Sequence, residues 1–123
     1  MLRSYDLLEN VLNDIEEGIK EGINLNTLAK KYSLSERHLQ RLFTFVFKQS
    51  LGAYIRSRKL SASLDDLLEK KSKILDVALD YDFDYEQSFI NAFKREFGMT
   101  PGKLRKSGQI VKITPPLQLI DYN

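Results

Sequence analysis

The chain has 123 residues with no cysteine, no tryptophan, a single histidine (His38) and three prolines. Without cysteine there are no disulfide staples, thiolate zinc sites or cysteine nucleophiles. One histidine leaves no material for a histidine metal cluster or a serine-type triad. No run of eighteen apolar residues occurs, and no basic-then-apolar leader opens the sequence, which argues against a membrane span and a secretory signal and for a cytoplasmic protein. The carboxylate pairs Glu16-Glu17 and Asp65-Asp66 fall on exposed helix faces with no sign of a pocket. The expectation is therefore no enzyme, no metal site and no cofactor.

What remains is an ordinary globular composition, 42% hydrophobic and 29% charged, sufficient for one small domain or two very small ones. The net charge of +2 identifies no partner, but its distribution is uneven. Residues 28–60 carry eight basic side chains against one acidic, and residues 87–108 five against one. Residues 1–22 and 61–86 are acidic, with six carboxylates against two bases and eight against three. Two basic blocks set between acidic ones suit a polyanion as partner. Solvated helix faces carry charge of the same kind, so charge alone does not choose.

The periodicity is helical almost throughout. Leu7, Leu8, Val11, Leu12, Ile15 and Ile19 predict an amphipathic helix over 5–21, capped by Ser4 and stopped near Gly22. Asn24 caps a short second helix reaching about Lys31, with Leu25, Leu28 and Ala29 inward. Ser35 starts a third, Glu36 to Phe47, whose first-turn glutamate suits the positive end of the helix dipole. A long fourth runs from near Ser50 to about Lys70. Ser72 caps a fifth over 73–81 and Asp84 a sixth over 85–97, which Gly98 ends. Thr100-Pro101 opens a last short helix. Only Ile110-Val111-Lys112-Ile113, ahead of Pro115-Pro116, alternates as a strand does. The fold class is all-α: about seven helices and a loose tail.

Two of the helix pairs have helix-turn-helix dimensions: 25–31 with 36–47 across about four residues, and 73–81 with 85–97 across a shorter turn. Each second helix has an apolar side and a hydrogen-bonding side. Leu39, Leu42, Phe43 and Val46 oppose Arg37, Gln40, Arg41 and Thr44; Phe89, Ala92, Phe93 and Phe97 oppose Gln87, Asn91 and Lys94, with Ser88 on the flank. Arg, Gln and Asn carry the paired donors and acceptors that match guanine and adenine edges in the major groove. The aromatic residues, including Phe47, Tyr54 and Phe83, fall at core spacing and not in the pattern of a single-strand stacking platform. A linking helix of roughly 20 residues spans about 30 Å, close to the ~34 Å repeat of the major groove on one face of DNA. Heads held slightly closer than that repeat require the DNA to bend.

The stretches His38-Leu39-Gln40-Arg41-Leu42-Phe43, Ser50-Leu51-Gly52 and Tyr54-Ile55-Arg56-Ser57-Arg58-Lys59 strongly resemble AraC/XylS-type transcription regulators, especially the MarA, SoxS and Rob subgroup. Val77-Ala78, Tyr81-Asp82-Phe83, Phe89, Phe93-Lys94, Phe97-Gly98 and Thr100-Pro101 continue the likeness in the family's order, over about residues 5–106. The resemblance implies a domain, monomeric on DNA, with two helix-turn-helix subdomains, 1–49 and 72–107, joined by a linker helix over 50–71. It implies promoter DNA as partner, RNA polymerase as a further partner, and activation as the outcome. Base contacts would come from Arg37, Gln40, Arg41, Gln87, Ser88 and Asn91. Lys30, Lys31, Thr44, Arg56, Arg58 and Lys94 are the candidate phosphate contacts. The competing class is a helical adaptor whose basic faces meet an acidic protein.

The sequence departs from the family pattern at a few places. Ser33 and Asp82 stand where the turns usually have glycine, and aspartate tolerates left-handed backbone better than most residues. Leu64 replaces a small linker residue, and Asn91 an arginine. Asp80, Asp82, Asp84 and Glu86 crowd acid near the second head, predicting weaker binding there. Residues 108–123 read either as a linker toward the effector-binding domain that follows in Rob-like regulators or as the tail of a short stand-alone member that folds back, with Leu117, Leu119 and Ile120 lacking local partners.

Overall fold

The computed structural model describes residues 3–69 and 72–119. Seven helices occur among them and no strand: α1 Ser4–Glu17, α2 Leu25–Lys31, α3 Glu36–Phe47, α4 Leu51–Leu68, α5 Ile74–Asp80, α6 Glu86–Phe97 and α7 Pro101–Ser107. They form two compact units that divide within α4, between Arg56 and Ser57. The first unit also takes in the chain from Pro116 onward, and the second runs to Pro115.

In the first unit, α1, α2, α3 and the start of α4 close on one core. Leu8, Val11, Leu12 and Ile15 meet Leu28, Ala29, Leu39, Phe43, Phe47, Leu51, Tyr54 and Ile55, all buried. The Phe43 ring centroid lies 4.7 Å from that of Phe47 and 5.5 Å from that of Tyr54, within the range of favourable aromatic pairing. In the second unit Leu60, Leu64 and Leu67 of α4 are buried, as are Val77, Ala78, Tyr81, Phe89, Phe93 and Leu104. Leu64 is thus a core residue. The aromatic side chains at core spacing are interior or half-buried.

The two turns are built alike. In each, a tyrosine ends the short helix, the next residue is left-handed, and the one after donates its N–H back to a helix carbonyl. Ser33 has φ 56° and Asp82 φ 67°; Leu34 N–H reaches Ala29 O at 2.9 Å and Phe83 N–H reaches Ala78 O at 3.0 Å. This is the hydrogen bonding of a Schellman-type stop, in which glycine is usual because a Cβ strains the left-handed region. Each tyrosine hydroxyl also anchors to the preceding long helix. Tyr32 donates to Asp14 of α1. Tyr81 shares its proton between Asp66 Oδ2 of α4 at 2.8 Å and Ala62 O at 3.1 Å. Burial, then the hydrogen-bonded carboxylate, push both phenols well above the ordinary range.

Several sequence expectations are corrected. The first helix stops at Glu17 and not near Gly22, with Gly18 as its C-cap. A Cβ at Gly18 would lie 3.2 Å from Asp14 O and 3.3 Å from Ile23 Cβ, so glycine there lets Ile23 fold back onto the helix end. Ser4 is the first helical residue, not the cap. Lys73 and Tyr85 hold the caps expected of Ser72 and Asp84, without side-chain bonds. The second turn, 81–85, is one residue longer than the first, 32–35, because Tyr81 leaves the helix and Tyr85 delays the next. The fourth helix ends at Leu68, and its expected end at Lys70 lies outside the described residues.

The tail folds back, one of the two alternatives its sequence left open, but not as a strand. No strand forms over 110–113; the chain instead continues without regular structure and docks on α4. Thr114 N–H donates to Ser61 Oγ at 2.8 Å, and Thr114 O accepts from Arg58 Nη1 at 2.6 Å. Farther on, Leu117 N–H donates to the Tyr54 hydroxyl at 2.9 Å, and Leu117 and Leu119 pack on the first core. These leucines therefore have partners; Ile120 lies outside the described residues. Arg58 and Ser61, which hold this segment, are buried, as are Lys59 and Ser63 of the same helix. Arg58 is only 8% exposed, so it does not share a solvated face with Arg56 and is not placed to meet phosphate.

Candidate nucleic-acid interface

The surface of α3 opposite its core residues carries Arg37, Arg41 and Thr44, all exposed. Ser35 caps the helix by accepting from His38 N–H at 3.0 Å. The left-handed Lys48 (φ 59°) ends it. Thr44 donates to Gln49 O at 3.2 Å. Gln40 sits on the flank, half-buried. Its Nε2 donates to Ser50 Oγ at 3.1 Å while its Oε1 is buried with no hydrogen-bond partner among the described residues. Ser50 serves both helices, since its Oγ also accepts from Ala53 N–H at 3.3 Å, at the start of α4.

The corresponding surface of α6 carries Gln87, Asn91 and Lys94 with Ser88 on the flank, all exposed. Gln87 Nε2 donates to Asn91 Oδ1 at 2.9 Å, one helical turn apart. The bond leaves Gln87 Oε1 as an outward acceptor and Asn91 Nδ2 as an outward donor. Asp80, Asp82, Asp84 and Glu86 are all exposed near this helix. Asp82 is matched in part by Lys59 Nζ at 3.4 Å. Gly98 (φ 80°) ends α6 in the conformation glycine favours.

Of the phosphate candidates, Lys30, Arg56 and Lys94 are exposed and Lys31 is exposed but bonded to Asp14 at 2.9 Å. Arg58 alone is withdrawn. Sequence reasoning missed one conspicuous side chain, Phe45, which is 74% exposed on α3. With Ser35, Arg37, His38, Arg41 and Leu42 it lines a hollow of about 540 Å³. The signal was available: Phe45 falls outside the 39, 42, 43, 46 apolar series and one turn beyond Arg41.

Two successive helix-turn-helix units, each displaying guanidinium or amide side chains on its second helix, define a double helix-turn-helix protein. Residues 28–107 match the helix-turn-helix domain family. The chain is 38% identical over 118 residues to the transcriptional regulator Rob of Salmonella typhimurium, covering 94% of this chain and 41% of Rob. It is 40% identical over 108 residues to the probable transcription factor PqrA of Proteus vulgaris, covering 83% of this chain and 88% of PqrA. Among solved structures, the C-terminal domain of the response regulator yesN from Fusobacterium nucleatum superposes with a TM-score of 0.74 at 25% identity, over 80% of this chain and 97% of that one. The chain belongs to the AraC-type helix-turn-helix family of DNA-binding transcription regulators. It spans about two fifths of the length of Rob. No described helix is long and apolar enough to cross a membrane.

Proposed function

We propose that the chain binds promoter DNA by inserting α3 and α6 into adjacent major grooves, and that it acts by binding, not catalysis. The observation that carries this reading is the division of both helices: core on one side, exposed arginine or paired amides on the other. Arg37 and Arg41 suit the O6 and N7 acceptors of guanine. Gln40 reaches a base edge by exchanging Ser50 for it. The bonded Gln87–Asn91 pair offers the acceptor and donor that match N6 and N7 of adenine, with Ser88 beside it. Lys30, Lys31, Thr44, Arg56 and Lys94 supply phosphate contacts, which set position and salt dependence without reading sequence.

Residues 1–49 and 72–107 act as the reading heads and 50–71 as their link, monomeric on DNA and in the cytoplasm. The acidic side chains around α6 make the second head the weaker one. Recruitment of RNA polymerase to the bound promoter makes the protein an activator. Selection of bound sequences from a random duplex pool tests the reading. Two short preferred elements about one helical turn apart are expected, with affinity falling steeply as salt rises. Equal affinity for every duplex, or an acidic polypeptide competing as well as DNA does, would count against it.

A further inference from the structure

The role of Phe45 lies outside the amide and guanidinium readout described above. A phenylalanine that is 74% exposed, on a helix whose other outward residues are charged or polar, has no partner in its own core. Lys48 Nζ sits 5.2 Å from the ring centroid in a cation–π arrangement. The ring lines the same hollow as Arg37 and Arg41, together with Ser35, His38 and Leu42. Whatever base edge those guanidinium groups reach therefore meets an aromatic wall in the same recess. The apolar group that a duplex offers in the major groove is the thymine C5-methyl, and phenylalanine is among the side chains that contact it. The neighbouring ammonium of Lys48 suits the phosphate backbone beside such a base.

Resting on the DNA-binding reading, we infer that Phe45 is a specificity-determining residue that selects a thymine by packing on its methyl group. The test uses a duplex selected from the random pool by the wild-type chain, in which each thymine is replaced in turn by deoxyuridine. That change removes one methyl and leaves the base pairing intact. At one position wild-type affinity should fall about fourfold, the worth of one methyl group taken out of water. Phe45→Ala should bind the unmodified duplex more weakly by at least that factor and be indifferent to the uridine replacement. Because Phe45 is exposed, the variant keeps the wild-type unfolding temperature. Uridine effects that are absent in the wild type, or that persist unchanged in Phe45→Ala, overturn the inference while leaving the DNA-binding reading standing. A wild-type chain that enriches no sequence from the pool overturns both.

Discussion

Replacing Tyr81 by phenylalanine isolates the anchor that ties the second short helix to α4. The ring stays in a core position that is 3% exposed, so packing is preserved and only the hydroxyl is lost. That hydroxyl satisfies Asp66 Oδ2 at 2.8 Å, with Ala62 O at 3.1 Å. A hydrogen bond to a charged, half-buried carboxylate is worth about 1.5–3 kcal/mol, which the variant loses. For a small cooperative unit this lowers Tm by roughly 5–15 °C, measured by circular dichroism. Tyr85→Phe removes a hydroxyl from a side chain that is 72% exposed and should leave Tm unchanged. Alkaline titration gives a second readout. The folded phenol is held above its ordinary range, so folding favours the neutral form. This stability is present in full below about pH 10, where a free phenol begins to ionise, and is lost as pH rises beyond it. Tyr32 and Tyr81 should form tyrosinate only as the chain unfolds, and Tyr81→Phe should flatten part of the alkaline decline. A Tyr81→Phe variant that matched the wild type in both Tm and alkaline stability would show that the hydroxyl anchors nothing.

Other outcomes follow from the same geometry. Arg41→Ala should cost about 1–3 kcal/mol at particular base pairs and relax selection there, whereas Lys94→Ala should weaken all duplexes alike and reduce the salt slope by about one, both by fluorescence anisotropy. Arg58→Ala should lower Tm through loss of its bond to Thr114 O and leave the salt slope of binding unchanged; Arg56→Ala should do the reverse. Ser33→Gly, at φ 56° on an exposed turn, should raise Tm by a few degrees, since relief of about 1–2 kcal/mol of left-handed strain exceeds the added chain entropy.

The sequence by itself determined the helices, because a 3.6-residue apolar period must bury one face wherever it occurs. The series Leu39, Leu42, Phe43, Val46 and its counterpart Phe89, Ala92, Phe93, Phe97 thereby also determined which face of each second helix stayed polar. Arg37, Arg41, Gln87 and Asn91 could be named from spacing alone. Asp82 was marked as a left-handed position by the glycine that the resembling family usually has there, and Ser33 only as a replacement for such a glycine; the structure shows both to be left-handed. Tertiary structure decided what depends on residues far apart in the chain. Nothing local to Arg58 says that Thr114 will cover it, since the two lie 56 positions apart. The strand-like alternation at 110–113 yielded to hydrogen bonds and apolar contacts that α4 and the first core offer the tail. The Tyr81–Asp66 bond likewise needed two helices packed together. Gln40 shows the boundary between the two: its type and position pointed to base readout, but only its fold neighbour Ser50 fixed where its amide rests.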